Sequence, residues 1–545
     1  MMTRPAIASS ITNTLRWAAM SHPADAFGPG ISRRSFARTT ASLAAAAVWA
    51  GRASGPVRGD VRLPNDPFTL GVASGDPAAD GFVLWTRLAP RPLEGGGMPQ
   101  EPVPVRWEVA DDEGFARIVQ TGTTVATPDW AHSVHVEVHG LEPHRWYWYR
   151  FHAAGATSPA GRSRTCPTAG TAAARLRFAV ASCQHYEQGL FTAYQQMKRD
   201  EPDLVLHLGD YIYESSRPGR VRSHGTPVPF TLADYRDRHA LYKTDPILQA
   251  AHGCCPWVVT WDDHEVENNY ADAISPRAGV EPRQFLKRRA AAYQAYYEHL
   301  PLRRASLPRG PDMRLYRRIS FGDLARFFVL DSRQHRTRQP CGDGRRQPCP
   351  EVMAEDATIL GAEQERWLVD GFAASPARWN LVAQQVMMAR VDFAPGEVEA
   401  FNMDQWPGYE RIRRRLLEAF ARRPEANPVV LTGDIHSHWA NQLVKPRDTG
   451  AGSPDDRPVA AELVTTSISS GGNGTATPAN LETLLAENPF VRFHNAQRGY
   501  VVCDLSAKEC RAEFRVVDVV DRPGGSVTAA GTFVIEDGQP GLTTA

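Results

Sequence analysis

Apolar, β-prone runs in this chain stop, one after another, at a side chain that can bind a cation or carry a proton. Arg177–Ala181 gives way to Ser182-Cys183, Asp203–Leu208 to Gly209-Asp210, and Trp257–Trp261 to Asp262-Asp263-His264-Glu265. Further along, Arg326–Leu330 ends at Asp331, Leu381–Ala383 at Gln384-Gln385, and Val429–Thr432 at Gly433-Asp434. Segments with helical periodicity and charged faces lie between several of these runs, among them Gln284–Tyr297 and Arg411–Arg422. Strands alternating with helices predict an α/β architecture with buried sheets. In such folds, ligand groups collect beyond the carboxyl ends of the strands.

Each cluster has its own chemistry. Asp210 and Tyr213 sit three residues apart at a strand end, where one turn of chain aims both at one locus. In Asp262-Asp263-His264-Glu265, adjacent carboxylates repel and raise each other's pKa unless a cation or donors intervene. A divalent or trivalent metal removes that cost. Asp434, His436 and His438 alternate, and residues two apart in an extended segment share a face, although a metal need not use all three. Cys183 is either an inert buried thiol or, at a strand end near His185, a thiolate ligand.

The chain has 545 residues, more than a typical single domain of about 100–200, so a small domain and a large one are expected. Ser32-Arg33-Arg34-Ser35-Phe36 precedes an apolar run from Ala41 to Ala50. That run is about half the roughly 20 residues a spanning helix needs. Residues 1–53 therefore read as an export signal of twin-arginine type. This makes the translocation machinery a partner, places the protein in the periplasm or outside the cell, and leaves no transmembrane segment in the mature chain. Residues 64–168 read as a small β-sandwich: Gly81–Arg87, Val103–Val109 and Ser133–Val138 are short strands, and Tyr147 sits as in a tyrosine corner. Pro167–Ala174 reads as a linker, and 175–540 as the catalytic domain. Lys+Arg and Asp+Glu both number 61, which gives no support for nucleic acid as the main partner. Export permits disulfides. Cys341 and Cys349 could pair, as could Cys503 and Cys510 across a hairpin. Residues 490–545 read as strands, with a possible helix at Leu481–Glu487 before them.

Taken together, these clusters resemble the alkaline phosphatase D family of the metallophosphoesterase superfamily. The resemblance runs from Phe68-Thr69-Leu70-Gly71-Val72-Ala73-Ser74-Gly75-Asp76-Pro77 through Ala181-Ser182-Cys183, His207–Glu214 and Trp261–Glu265. It continues through Gln384–Met388, Asp404–Tyr409 and Leu431–His436. It implies a four-layer fold, two mixed β-sheets flanked by helices, preceded by a fibronectin- or Ig-like sandwich. It also implies a cluster of Fe3+ with Ca2+ nearby. Asp210 matches the bridging carboxylate. Tyr213, Cys183 and His436 match the remaining iron ligands, and Asp263 and Asp434 match calcium-side ligands. Hard carboxylate oxygens suit calcium, while phenolate, thiolate and imidazole suit ferric iron better than magnesium. Gln384 or Gln385 is expected to reach the calcium side.

The function implied is hydrolysis of phosphate mono- and diesters at alkaline pH by a metal-bound hydroxide, with His264 as the catalytic donor to a phosphate oxygen or leaving group. Small phosphate esters are the expected substrates, with phospholipid head groups as a further class. A phospholipase D-like phosphodiesterase is the alternative enzyme, and a noncatalytic cell-surface binding protein is the alternative from another class.

Overall fold

The computed structural model describes residues 63, 65–217, 221–445 and 457–545; the export signal read at 1–53 lies outside them. The apolar runs form strands as expected: Arg175–Ala181, Leu204–Leu208, Trp257–Thr260, Ala325–Val329, Trp379–Ala383 and Pro428–Thr432. They divide between two mixed sheets. In the larger, Arg175–Ala181, Leu204–Leu208 and Trp257–Thr260 run parallel, and Arg498–Ser506 pairs antiparallel to the first of them. In the smaller, Ala325–Val329, Trp379–Ala383, Pro428–Thr432 and Pro458–Val464 run parallel, with Arg317–Phe321 and His438–Val444 antiparallel at the flanks.

Alternation along the strands assigns their faces. Phe178, Val180, Leu206 and Val258 of one sheet share an apolar cluster with Phe327, Leu381 and Leu431 of the other. Ala179, Val205 and Val259 instead join a cluster with Tyr194, Met197 and Tyr293 of helices Thr192–Arg199 and Pro282–His299. On the other sheet, Phe328, Val382 and Val430 pack under Leu368, Leu416 and Phe420, from helices Gly361–Ala373 and Glu410–Ala421. Each large side chain fully buried in this way contributes about 1.5–3 kcal/mol.

Helix starts follow local chemistry. Thr231 and Asp234 close a capping box at Leu232–Lys243. Asp245 caps Pro246–His252, with proline at the first helical position.

The N-terminal β-region is present, and Tyr147 makes the expected corner, its hydroxyl meeting the Glu142 backbone. Its strands do not all stay together, however. Val72–Ala78, Gly81–Arg87 and Ser133–Val138 extend the larger sheet through a parallel bridge from Gly75 to Trp257. Arg317 binds the Asp76 carboxylate and Arg303 its carbonyl, fastening the junction. Periodicity cannot reveal such an edge pairing between segments so distant in sequence.

The Cys341–Cys349 disulfide is formed. Cys503 and Cys510 remain thiols. They do lie on adjacent antiparallel strands, but Cys503 faces Ala512 and Cys510 faces Leu505, so the register sets them diagonally.

Candidate metal centre

At the carboxyl ends of parallel strands from both sheets, the chain turns through left-handed backbone at Cys183, Asp210, Asp434 and His436, with φ between 56° and 64°. Non-glycine residues rarely adopt this region, and each costs on the order of 1–3 kcal/mol. The turns bring the Cys183, Asp210 and His436 side chains to one locus. Glycines allow the strand ends to close in. A Cβ on Gly209, itself at φ 110°, would lie 2.5 Å from the Asp262 amide nitrogen, and one on Gly433 would lie 2.9 Å from Ser182 Oγ.

One donor atom each from Cys183, Asp210 and His436 lie within 4.8 Å of one another, as do one each from Asp210, Asp263 and His264. Asp210 belongs to both groups. Tyr213 lies between them: its hydroxyl donates to Asp210 Oδ2 at 2.8 Å and stands 2.9 Å from His436 Nε2. Asp434, expected among the ligands, falls in neither group and borders the first one. Its carbonyl accepts from the Cys183 thiol at 3.7 Å, and its Oδ2 accepts from Gln405 Nε2 at 2.9 Å. Asp263 Oδ2 accepts from the Asn269 amide at 2.6 Å, while its Oδ1 is buried with no hydrogen-bond partner among the described residues. His264 Nδ1 stands 2.6 Å from Glu214 Oε2, and its ring lies 4.1 Å from the Tyr213 ring.

The electrostatics of this set suit a cation. Burial, reinforced by neighbouring acidic groups, pushes Asp210 and Asp434 well above the usual carboxylate range. Burial and then Asp210 push the Cys183 thiol up, and burial with Asp210 and Cys183 raises the Tyr213 phenol. Asp263 is the exception: burial raises it, but Arg333 and His264 outweigh that and hold it below the usual range. Burial drives the His436 imidazole down to about 3, so it is neutral and free to ligate. Carboxylates, thiol, phenol and neutral imidazole crowded in this way, with an orphaned Asp263 oxygen, fit a multivalent metal centre.

Other sequence expectations resolve differently. Gln384 and Gln385 do not reach the cluster. The Gln384 amide binds Val386 and Thr432, and the Gln385 amide binds Thr260 and Leu330, because both residues lie where strand ends need stitching. Gln405, from the Asp404–Tyr409 motif, reaches Asp434 instead. His438 turns away, standing 3.0 Å from the Arg515 carbonyl and accepting from the Thr466 amide. Sequence reasoning missed Arg333, Glu214 and Ser470. Arg333 follows strand-end Asp331 and binds Asp262 and Asp404. Ser470 carries no motif signal; it sits 2.8 Å from the Tyr213 oxygen only because distant strands bring it there.

A two-sheet α/β fold with these acids, thiol, phenol and imidazoles at its strand ends defines a metal-dependent phosphoric ester hydrolase. A sequence model of PhoD-like phosphatases matches residues 178–514, and one for the N-terminal domain of PhoD-like phosphatases matches 53–167, so the chain belongs to the PhoD-like phosphatase family. It is 49% identical over 482 residues to alkaline phosphatase D of Bacillus subtilis (strain 168), across 87% of this chain and 82% of that one. The solved structure of PhoD superposes with a TM-score of 0.86 at 48% identity, covering 89% of this chain and 93% of its own.

Proposed function

We propose that this enzyme hydrolyses phosphate mono- and diesters at alkaline pH outside the cytoplasm, with Fe3+ held by Cys183, Asp210, Tyr213 and His436, and Ca2+ held by Asp210, Asp263 and Asp434. The observation that carries the reading is the position of Asp210, common to both donor groups and hence suited to bridge two ions. When bound, the metals lower the pKa of a coordinated water toward neutrality and offset charge on the phosphoryl oxygens.

The chain's own side chains do the rest. Arg333 neutralises Asp262 and faces Asp263, which keeps that carboxylate ionised for a cation. Gln405 orients Asp434, and the Asn269 amide orients Asp263. Glu214 engages His264 Nδ1, leaving Nε2 to donate to a phosphate oxygen or the departing alkoxide. No covalent phosphoenzyme is invoked, so no serine nucleophile is assigned.

The arrangement is read as a four-layer metallophosphoesterase sandwich preceded by a fibronectin- or Ig-like region at 64–168, three of whose strands extend the larger sheet and whose Asp76 binds Arg317 of the smaller one. Residues 1–53 are read as a twin-arginine signal, and no described helix is long and apolar enough to cross a membrane.

Elemental analysis of protein purified without chelator, followed by assays on soluble nitrophenyl mono- and diesters and on phospholipid vesicles, tests the reading. Iron with calcium, and turnover of the soluble esters, are expected. Turnover of vesicles alone would favour a phospholipase D-like enzyme, and metal-loaded protein inert toward every phosphate ester would end the catalytic reading.

A further inference from the structure

Ser470 is fully buried, and its Oγ lies 2.8 Å from the Tyr213 hydroxyl and 2.7 Å from the Cys183 carbonyl, while the His185 amide donates to it at 3.1 Å. A serine hydroxyl has a single proton to give. The Tyr213 phenol spends its own proton on Asp210 Oδ2. The Tyr213 oxygen keeps lone pairs with which to accept, and Ser470 donates to it. The other side-chain partners of that oxygen, Asp210 and His436, belong to the donor set itself.

The surroundings hold Ser470 in place. Arg498, only 4% exposed, donates to the Ser470 carbonyl and to Ser467 Oγ, and Ser467 Oγ donates to the same carbonyl at 2.7 Å. Gly474, at φ 70°, lets the loop close over Arg498: a Cβ there would lie 2.7 Å from Arg498 Nη2 and 1.8 Å from the Ala496 carbonyl oxygen. The result is a hydroxyl held outside the donor set, within hydrogen-bond reach of the Tyr213 oxygen and of the Cys183 carbonyl.

We propose that Ser470 is a positioning residue for Tyr213, donating a hydrogen bond to the phenolate oxygen that fixes its orientation on the metal and draws off part of its charge. The inference rests on Tyr213 being a metal ligand. Partners of this kind orient ligands and tune metals, and their loss typically costs about 10–100-fold in metal affinity.

The test compares Ser470→Ala, Ser470→Thr and Tyr213→Phe, each purified as the full chain and checked for folding by circular dichroism. The readouts are the visible tyrosinate-to-iron charge-transfer band and the metal retained after dialysis against chelator. In Ser470→Ala the phenolate becomes more electron-rich. The band should move to longer wavelength, and metal should be released at about 10-fold lower chelator concentration. Ser470→Thr, which keeps the hydroxyl, should restore both. Tyr213→Phe should abolish the band. If Tyr213→Phe leaves the band intact, or the wild type has none, the ligand assignment fails and the inference falls with it. If Tyr213→Phe removes the band while Ser470→Ala matches wild type in band position and metal retention, the ligand assignment stands and the role given to Ser470 is overturned.

Discussion

The His264 imidazole stands 2.6 Å from the Glu214 carboxylate through Nδ1, and Glu214 Oε1 in turn accepts the Asn268 backbone amide at 3.0 Å. The pair is buried on the Glu214 side and opens at His264, whose side chain is 14% exposed. Burial disfavours the imidazolium, but Glu214, Asp263 and Asp210 outweigh it and push His264 well above its ordinary pKa. The Glu214 contact favours the protonated form of this donor.

Removing the donor should show in turnover. His264→Asn is expected to lower kcat by about 10²–10³-fold, within the range for general acid–base groups, with a smaller change in KM. Glu214→Gln should give a milder loss in the same direction. Steady-state kinetics on a nitrophenyl ester checks both, and unchanged kcat in His264→Asn would exclude the catalytic role.

Arg333 is fully buried, with Nε 2.5 Å from Asp262 and Nη groups 2.8–2.9 Å from Asp404. Arg333→Met leaves buried carboxylates without their counter-charge and should cost about 3–5 kcal/mol of stability. Urea unfolding of metal-free protein measures this, and a loss under about 1 kcal/mol would show that the carboxylates find another partner.

The Cys341–Cys349 disulfide closes a short loop of sequence separation 8. Asp343 in that loop accepts from the Asn269 side chain, and the Asn269 backbone amide donates to Asp263. Replacing both cysteines by serine should cost about 2–3 kcal/mol by loop entropy. The measured quantity is the thermal midpoint with and without reductant: wild type should fall with reductant, and the double variant should not respond.

Stability should also fall in mild acid. Burial drives His135 down to about 4 and His207 and His239 to about 3, against about 6.5 in an unfolded chain. Between about pH 6.5 and 4 the unfolded chain therefore binds protons on these groups that the folded chain does not. Unfolding free energy drops as pH falls through that window, by up to about 1.4 kcal/mol per histidine per pH unit. Urea midpoints at pH 8 and pH 5 read the effect; equal midpoints would show that these histidines titrate alike in both states.

Local chemistry was legible throughout. Gly81–Arg87, Ser133–Val138 and Leu481–Glu487 end where their composition ends, because apolar runs and turn residues act over a few positions. The strand-end Asp, Cys and Tyr residues were legible as well, since a parallel strand delivers whatever follows it to one edge of the sheet. The choice between neighbours was not. Gln405 rather than Gln384 reaches Asp434, and His436 rather than His438 faces the pocket, because a rotation of one residue at a turn reverses where a side chain points.

The positions of the core strands along the chain and the candidate donors that follow them were therefore readable in the sequence, where periodicity and strand-end chemistry are short-range properties. Tertiary structure decided which donors meet, how Val72–Ala78 joins the larger sheet at Trp257, and that Ser470 lies against Tyr213, 257 residues away. Those outcomes depend on two sheets packing face to face, and no stretch of sequence encodes the distance between surfaces that only the completed core brings together.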